Sequence, residues 1–262
     1  MRCVVTATAS LSIAAVAATF AWAGAPAPTT PIDAARMTAP MAASEGGVPP
    51  PELRLRAIVA RALDDSIATW KRLVVKDALE VGTVNVRFVT HLAPSNCFGL
   101  YSGDGPAYCS GNATVFVGVD AANNLMTRFG PEGEAGITFL IGHEIGHHIQ
   151  NIFGRFALLN HVVASAPARR IEFLRRFELE ADCYAGVWIR ASEAWGQSAR
   201  FRSGMRAVVG SIGDDSMLVG ATGEARSTAG VHGSSQQRGR WFARGLESGN
   251  LQTCDTFAAP NL

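Results

Sequence analysis

Two histidines and a glutamate in the middle of the chain have the spacing of a metal-binding motif. His143, Glu144 and His147 form the sequence His-Glu-Ile-Gly-His. On an α-helix, residues four apart project from one face, so both imidazoles can bind a single Zn²⁺ while the glutamate acts as a general base on a water molecule. The spacing therefore predicts a zinc site with His143 and His147 as ligands and Glu144 as the catalytic base.

The surrounding residues predict that this motif lies on a long helix, at about residues 133–153. Isoleucines recur at positions 137, 141, 145, 149 and 152. At roughly 100° per residue they form one apolar stripe, and the two histidines fall on the opposite side. We therefore expect the ligand face to be separate from the main packing face. If the histidines were only core residues, they and Glu144 would each need another partner to be buried.

A catalytic zinc ion needs a third protein ligand, because such sites have three protein ligands and keep a fourth position for water. A second predicted helix, at about residues 168–195, carries Glu178 and Asp182 four residues apart on one face. One carboxylate can bind the metal while the other accepts the outer N–H of a ligand histidine and so sets its tautomer. Glu180 lies on a different face, and we expect it to be solvated or ion-paired. Adjacent residues on a helix point in different directions. We therefore expect His148 either to be a packing residue or to contact one of the metal ligands.

The composition is that of a globular protein, and the N-terminus indicates export. The 262 residues are 48% hydrophobic and 17% charged, which is ordinary for a folded domain. Residues 1–23 have the pattern of a secretory signal peptide: a basic start, an apolar stretch and a cleavage site at Ala21-Trp22-Ala23. The alternative is an uncleaved membrane anchor, for which the apolar stretch is barely long enough.

Residues 24–51 contain seven of the twelve prolines and show no hydrophobic period. This composition predicts a flexible linker or a pro-segment, so we expect the folded domain over residues 52–262. Cleavage after Ala23 removes Arg2 and leaves 22 basic and 22 acidic residues. This balance does not indicate a nucleic-acid partner or an anionic membrane.

Four cysteines follow the predicted signal peptide, and an even number in an exported chain indicates two disulfide bonds with three possible connectivities. Cys97 and Cys109 enclose a Gly- and Ser-containing loop, so a local pair is reasonable and would leave Cys183 with Cys254. The competing interpretation makes Cys109 a metal ligand, which an oxidising compartment and a nearby cysteine partner disfavour.

The remaining patterns predict an α+β fold in which helices dominate. Apolar residues at helical spacing predict one or two helices before Glu80, and two shorter helices near residues 198–212 and 234–247. Residues 83–92 and 114–120 alternate like strands, and we expect them to form a hairpin-like small sheet. The second strand, 114–120, is our candidate for an edge that pairs with an extended substrate.

Several motifs in the same order resemble the bacterial putative neutral zinc metallopeptidase family, from the Cys97 region to the C-terminus. The matching segments are Gly142–Gln150, Glu178–Trp188, Gly213–Asp215, His232–Arg238, Trp241-Phe242 and Cys254–Phe257. The resemblance implies a mostly helical, zincin-like domain with a small sheet next to the motif helix. It also implies a gluzincin-like site in which one Zn²⁺ is held by His143, His147 and Glu178, Glu144 is the base, and Asp182 supports a ligand histidine.

We therefore expect a zinc-dependent metallopeptidase that hydrolyses peptide bonds. His232 is the first candidate for an oxyanion donor, ahead of Tyr184 and Arg238, although a structural role for His232 is equally compatible with its sequence context. Asp214 and Asp215 are interpreted as a helix end and cap. The alternatives are a zinc-containing binding or scaffold protein without catalysis, and a zinc hydrolase of a non-peptide amide.

The expected partner is a peptide or protein substrate, and the sequence indicates no partner protein. A membrane is expected only if the N-terminal segment stays uncleaved. We expect the mature chain to be exported, either to the periplasm or to the medium.

Overall fold

A three-stranded sheet and eight helices make up the part of the chain that the structure, a computed structural model, describes, namely residues 51–77, 79–90, 105–217 and 230–262. The predicted signal peptide, nearly all of the predicted linker and Cys97 lie outside these residues. The helices are α1 (Pro51–Val74), α2 (Val119–Phe129), α3 (Gly133–Ile152), α4 (Arg155–Ser165), α5 (Arg170–Ala191), α6 (Ala199–Val209), α7 (Asp214–Met217) and α8 (Ser235–Ser248). The strands are β1 (Asn85–Val89), β2 (Ala107–Cys109) and β3 (Thr114–Gly118).

This architecture is the mostly helical α+β fold that the sequence predicts. The helices with long apolar periods, α1, α3 and α5, are present near their predicted bounds, and so are the shorter α6 and α8. On α1, for example, Leu55, Ile58, Val59 and Ala62 are buried at the expected spacing. Each of these helices has an apolar face to bury, which is why periodicity locates them.

The sheet differs from the expected hairpin, because the two predicted strands pair in parallel. The strand order is β1-β3-β2, with β1 parallel and β2 antiparallel to β3. A two-residue hairpin turn can join only antiparallel strands, and β1 and β3 are 24 residues apart in the chain. The hairpin partner of β3 is the short strand β2, which the alternation did not reveal.

β3 is the central strand of the sheet, so the prediction that residues 114–120 form a substrate-binding edge is wrong. Both edges of β3 are already paired, to β1 and to β2, and all five of its residues are buried. Its predicted end was also too long, since Val119 and Asp120 form the first turn of α2.

Three helices, α2, α4 and the four-residue α7, were not predicted from the sequence. α2 follows β3 without a loop, and among its residues only Ala122 is fully buried. α4 has a single fully buried residue, Leu159, and weak amphipathicity. Weak amphipathicity explains why α4 was missed, whereas α2 is clearly amphipathic and could have been found from its apolar period.

α3 lies in the interior, where it contacts α1, α2, α5 and α6. α5 packs closely along α8, and the disulfide bond between Cys183 and Cys254 joins α5 to the segment after α8. Cys109 is also disulfide-bonded. All described residues belong to one compact unit, Pro40–Leu262. None of the described helices is both long and apolar enough to span a lipid bilayer.

We expect Gly245→Ala to lower the free energy of unfolding by about 2 kcal/mol or more, because overpacking an interior forces neighbours apart. A Cβ at Gly245 on α8 would lie 2.0 Å from the carbonyl oxygen of Cys183 on α5. Urea unfolding followed by circular dichroism measures the change.

Gly239→Ala on the same helix is the matched control, since a Cβ there would meet its nearest neighbour at 3.6 Å. It should be neutral or stabilising by up to about 1 kcal/mol through helix propensity. Equal effects of the two substitutions would contradict the close approach of α5 and α8.

Candidate metal centre

The two histidines of the motif project from α3 towards α5, and this ligand face is as buried as the isoleucine face. His143, Glu144 and His147 are 4%, 5% and 9% exposed. The histidines therefore lie on a different face of α3 from the isoleucines, as predicted. Their face, however, also packs against a helix. Gly146 allows α3 to pack this closely against α5, because a Cβ at this position would lie 2.9 Å from the carbonyl oxygen of Ala181 on α5.

α5 brings Glu178 to the two histidines. Its Oε2 atom lies 3.1 Å from His143 Nε2 and 3.5 Å from His147 Nε2, and the two Nε2 atoms are 3.1 Å apart. Within the described residues, His143, His147 and Glu178 form the one group of three side chains able to hold a metal ion. The residues expected to be ligands thus converge on one point.

The outer nitrogen of His143 is held by Asp182, one turn after Glu178 on α5. Nδ1 lies 2.8 Å from Asp182 Oδ1, and Arg238 of α8 donates to both carboxylate oxygens at 2.9 Å. Although burial alone would raise it, the Arg238 charge and the His143 contact lower the pKa of Asp182. Asp182 is therefore an ionised acceptor, and Nδ1 of His143 is the donor.

The outer nitrogen of His147 is held by Gln150, which sequence reasoning did not identify. Nδ1 lies 2.7 Å from Gln150 Oε1. The amide nitrogen of Gln150 donates to Glu180 Oε2 and to the Phe177 carbonyl oxygen, each at 2.8 Å. Because both of those partners are acceptors, the amide oxygen must face His147, and Nδ1 of His147 must be the donor.

Glu180 extends this series of hydrogen bonds away from the cluster of His143, His147 and Glu178. It is 1% exposed, and Arg155 donates to its two carboxylate oxygens at 3.0 and 2.5 Å. Arg155 also contacts Asp255, the residue after the disulfide-bonded Cys254. Of the two alternatives expected for Glu180, solvation or ion pairing, the structure has the ion pair.

In their neutral forms, both histidines would therefore direct an Nε2 lone pair at the other and at the Glu178 carboxylate. Three acceptors at 3.1–3.5 Å repel one another unless a cation lies among them. Burial opposes the charge on His143, but Asp182 and Glu178 outweigh it and raise the pKa of His143 to about 10. The cluster is thus built to attract a positive charge.

The donor set and its dimensions fit zinc. Tetrahedral bonds of about 2.0–2.2 Å to nitrogen and oxygen place neighbouring ligand atoms about 3.3–3.6 Å apart. The three measured separations of 3.1, 3.1 and 3.5 Å lie close to that range. Two imidazoles and one carboxylate are also a usual protein ligand set for a catalytic zinc ion.

Glu144 lies beside this cluster and faces an open cavity. It is buried and, together with His143, lines a cavity of about 440 Å³.

His148, by contrast, is turned away from the cluster. Its Nδ1 lies 2.8 Å from the Tyr108 hydroxyl and its Nε2 lies 2.6 Å from the Val81 carbonyl oxygen. It connects α3 to β2 and to the chain before β1, in agreement with a packing role.

The three residues considered as oxyanion donors have different surroundings. His232 lines the same cavity as Glu144, and its Nδ1 contacts Asp214 Oδ1 at 3.2 Å. Arg238 also borders the cavity, but its guanidinium is committed to Asp182 and the Ile212 carbonyl oxygen. Tyr184 packs against Trp70 and does not line the cavity. His232 therefore remains the first candidate for this role, ahead of Arg238 and Tyr184.

Asp214 and Asp215 belong to the short helix α7, where both accept hydrogen bonds from the segment before α8. Asp214 accepts from the Gly233 N–H at 2.8 Å. Asp215 accepts from the backbone N–H of Ser235, the first residue of α8, at 2.7 Å. Asp215 thus helps to cap α8, whose N-cap residue is Ser234, whereas Asp214 begins α7 instead of ending a helix.

The chain belongs to the family described as putative neutral zinc metallopeptidase, whose sequence profile matches residues 7–257. This is the family that the motifs resemble, and the match extends further towards the N-terminus than they do. The family assignment agrees with a zinc-compatible cluster of His143, His147 and Glu178.

Two relatives illustrate the similarity. The uncharacterized protein YpfJ of Escherichia coli K12 is 32% identical over 58% of this chain and 54% of its own length. The uncharacterized protein Rv2575 of Mycobacterium tuberculosis H37Rv is 30% identical over 68% of this chain and 64% of its own length. The chain thus spans between half and two thirds of these relatives. No solved structure matches it significantly.

We expect Gln150→Ala to weaken zinc binding about 10-fold to 100-fold, because the outer contact of a ligand histidine sets its orientation and tautomer. Competition with a chromophoric chelator measures the affinity.

Asn151→Ala is the matched control, since Asn151 is the next residue on α3 and contacts the Tyr108 hydroxyl rather than a ligand. Its zinc affinity should equal that of the unaltered protein. A Gln150→Ala protein that folds normally and binds zinc with full affinity would show that Gln150 does not position His147.

Proposed function

We propose that this chain is a zinc-dependent metallopeptidase that binds one Zn²⁺ through His143, His147 and Glu178. The observation that carries the proposal is the set of three converging acceptor atoms at near-tetrahedral spacing beside Glu144. The cavity next to Glu144 provides room for a substrate. The family assignment supports the same conclusion.

Bound zinc would supply two effects, a lowered pKa for a water molecule and polarisation of the substrate carbonyl group. Glu144 takes a proton from the water as its oxygen adds to the carbonyl carbon. Glu144 then returns that proton to the nitrogen of the breaking C–N bond. The products are a carboxylic acid and an amine, so one water molecule is consumed and no other reactant is needed.

His232 is the residue that we assign to stabilising the negative charge on the carbonyl oxygen. Burial disfavours its charged form, but Asp214 and Glu178 more than compensate and raise the pKa of His232. Protonation lets Nδ1 donate to Asp214 while Nε2 also carries a proton that can be donated to a substrate oxygen.

A binding or scaffold protein would need the metal site but not Glu144. A general base placed at the wall of a cavity favours catalysis over this alternative. A zinc hydrolase of a non-peptide amide would use the same residues, so substrate trials must separate it from a peptidase.

We infer that the chain works outside the cytoplasm. Cys183 is bonded to Cys254, and Cys109 is also disulfide-bonded. Structural disulfides form and persist in oxidising compartments such as the bacterial periplasm. This supports the predicted signal peptide at residues 1–23.

We expect Glu144→Gln to keep one zinc ion per chain and to lower kcat for peptide cleavage by at least ~10²–10⁴-fold, because the general base is lost. Glu178→Ala should lose zinc as well as activity, because a ligand is removed. Metal analysis and a peptide-library cleavage assay on the mature protein measure both properties.

Glu172→Ala is a suitable control for Glu178→Ala, since Glu172 also lies on α5. Its carboxylate pairs with Arg169 and Arg176, away from the cluster. Wild-type zinc affinity in Glu178→Ala would contradict the ligand assignment. A zinc-loaded wild-type protein that cleaves no peptide would favour the binding-protein alternative.

A further inference from the structure

The cavity that begins at Glu144 has walls that are mainly apolar. α2 contributes Ala121, Leu125 and Phe129, α3 contributes Leu140 about one turn before His143, and Ile212 also lines the cavity. Its volume of about 440 Å³ lies within the range of roughly 300–1,000 Å³ that is usual for ligand sites. It can therefore hold a large side chain together with part of its backbone.

The position of Glu144 determines which part of a peptide enters this cavity. A general base must lie within hydrogen-bonding reach of the nitrogen to which it returns a proton. Glu144 forms part of the wall, so a nitrogen within its reach lies beside the cavity. The residue that carries this nitrogen, on the leaving side of the cleaved bond, can then place its side chain against the apolar wall.

The cations around the cavity differ in whether they already have a partner. Arg238 is bonded to Asp182, and His232 is paired with Asp214. Arg128 of α2 is exposed, and its side chain contacts the Ser211 carbonyl oxygen at 3.4 Å and the Phe129 ring. Among the described residues no carboxylate lies within ion-pair distance of Arg128. It is thus available to an anionic group of a ligand.

We propose that this cavity binds a large apolar side chain of the residue that supplies the leaving amine, and that Arg128 binds a substrate carboxylate on the same side. This inference rests on the proposed peptidase function. It deepens that function by assigning a substrate class: peptides with an apolar leaving residue followed closely by a carboxylate. That carboxylate belongs either to the C-terminus or to an acidic side chain.

The test measures binding separately from cleavage. Zinc-loaded Glu144→Gln protein is titrated by calorimetry with short peptides that carry Leu, Phe or Ala at the leaving position. Each is made as a free acid, as a C-terminal amide, and as an amide with glutamate as the next residue. Cleavage of the same peptides by the wild-type protein gives kcat/KM.

Leu and Phe peptides should bind on the order of 10-fold to 100-fold more tightly than Ala peptides, because each apolar group gains burial in the pocket. Ala121→Phe, added to Glu144→Gln, should remove that preference by filling the cavity while leaving the Ala peptides nearly unaffected. Thr127→Phe is the matched control, because Thr127 lies on α2 but does not line the cavity. Ala121→Val is the milder substitution to use if Ala121→Phe does not fold.

Arg128→Gln should weaken binding of the carboxylate-bearing peptides about 3-fold to 10-fold and leave the plain amides unchanged, because an exposed charged contact contributes modestly. Arg128→Lys should restore part of the loss. The free acid and the glutamate amide then reveal which carboxylate is bound.

Equal affinity for Leu, Phe and Ala peptides, or an equal loss for all of them in Ala121→Phe, would overturn the apolar subsite. Equal effects of Arg128→Gln on acids and plain amides would overturn the carboxylate contact. A clear preference in binding without any cleavage by the wild-type protein would instead reject the peptidase function and keep the subsite. Cleavage by the wild-type protein without a binding preference for Leu or Phe would reject the subsite and keep the peptidase function.

Discussion

The structure depends on the convergence of three electron-pair donors in its interior. The Nε2 atoms of His143 and His147 and a carboxylate oxygen of Glu178 lie 3.1–3.5 Å from one another. This arrangement is unfavourable without a proton or a metal ion among the three atoms, because each neutral imidazole commits its one proton to a partner on its outer side. Asp182 takes the proton of His143 and Gln150 takes that of His147. The hydrogen bonds on the outer side of each imidazole therefore favour the binding of a metal ion, although they would not contact the ion themselves.

Each of these outer contacts ends in an arginine from a different part of the chain. Asp182 is held by Arg238 of α8, and Gln150 is held through Glu180 by Arg155 of α4. Unpaired carboxylates at such depth would be costly, so the arginines make the buried positions of Asp182 and Glu180 tolerable. Arg155 also reaches Asp255, next to the Cys183–Cys254 disulfide. His147 is thus connected to the C-terminal segment through a continuous polar network.

Close packing of helices makes this network possible. Gly146 allows α3 to approach α5, and Gly245 allows α8 to approach the same helix from another side. Without these approaches Glu178 could not reach the histidines, and Arg238 could not reach Asp182. The cavity next to Glu144 follows from the same arrangement, since it is lined by α2, the middle of α3, α7, α8 and the segment before α8. The three-residue cluster and the cavity beside it are in this way set by the packing around one buried helix.

The sequence by itself determined the metal motif, the long helices and the pair of carboxylates on α5, because these depend on spacing along a helix. His143, His147, Glu178 and Asp182 could all be chosen from the i,i+4 rule. Gln150 could have been found as well, since it lies three residues after His147 on the same helix. Only the tertiary structure decided the parallel pairing of β1 with β3, the central place of β3, and the partners Arg155 and Arg238. Those contacts join residues far apart in the chain, and no local period records which distant charge or strand a residue will meet.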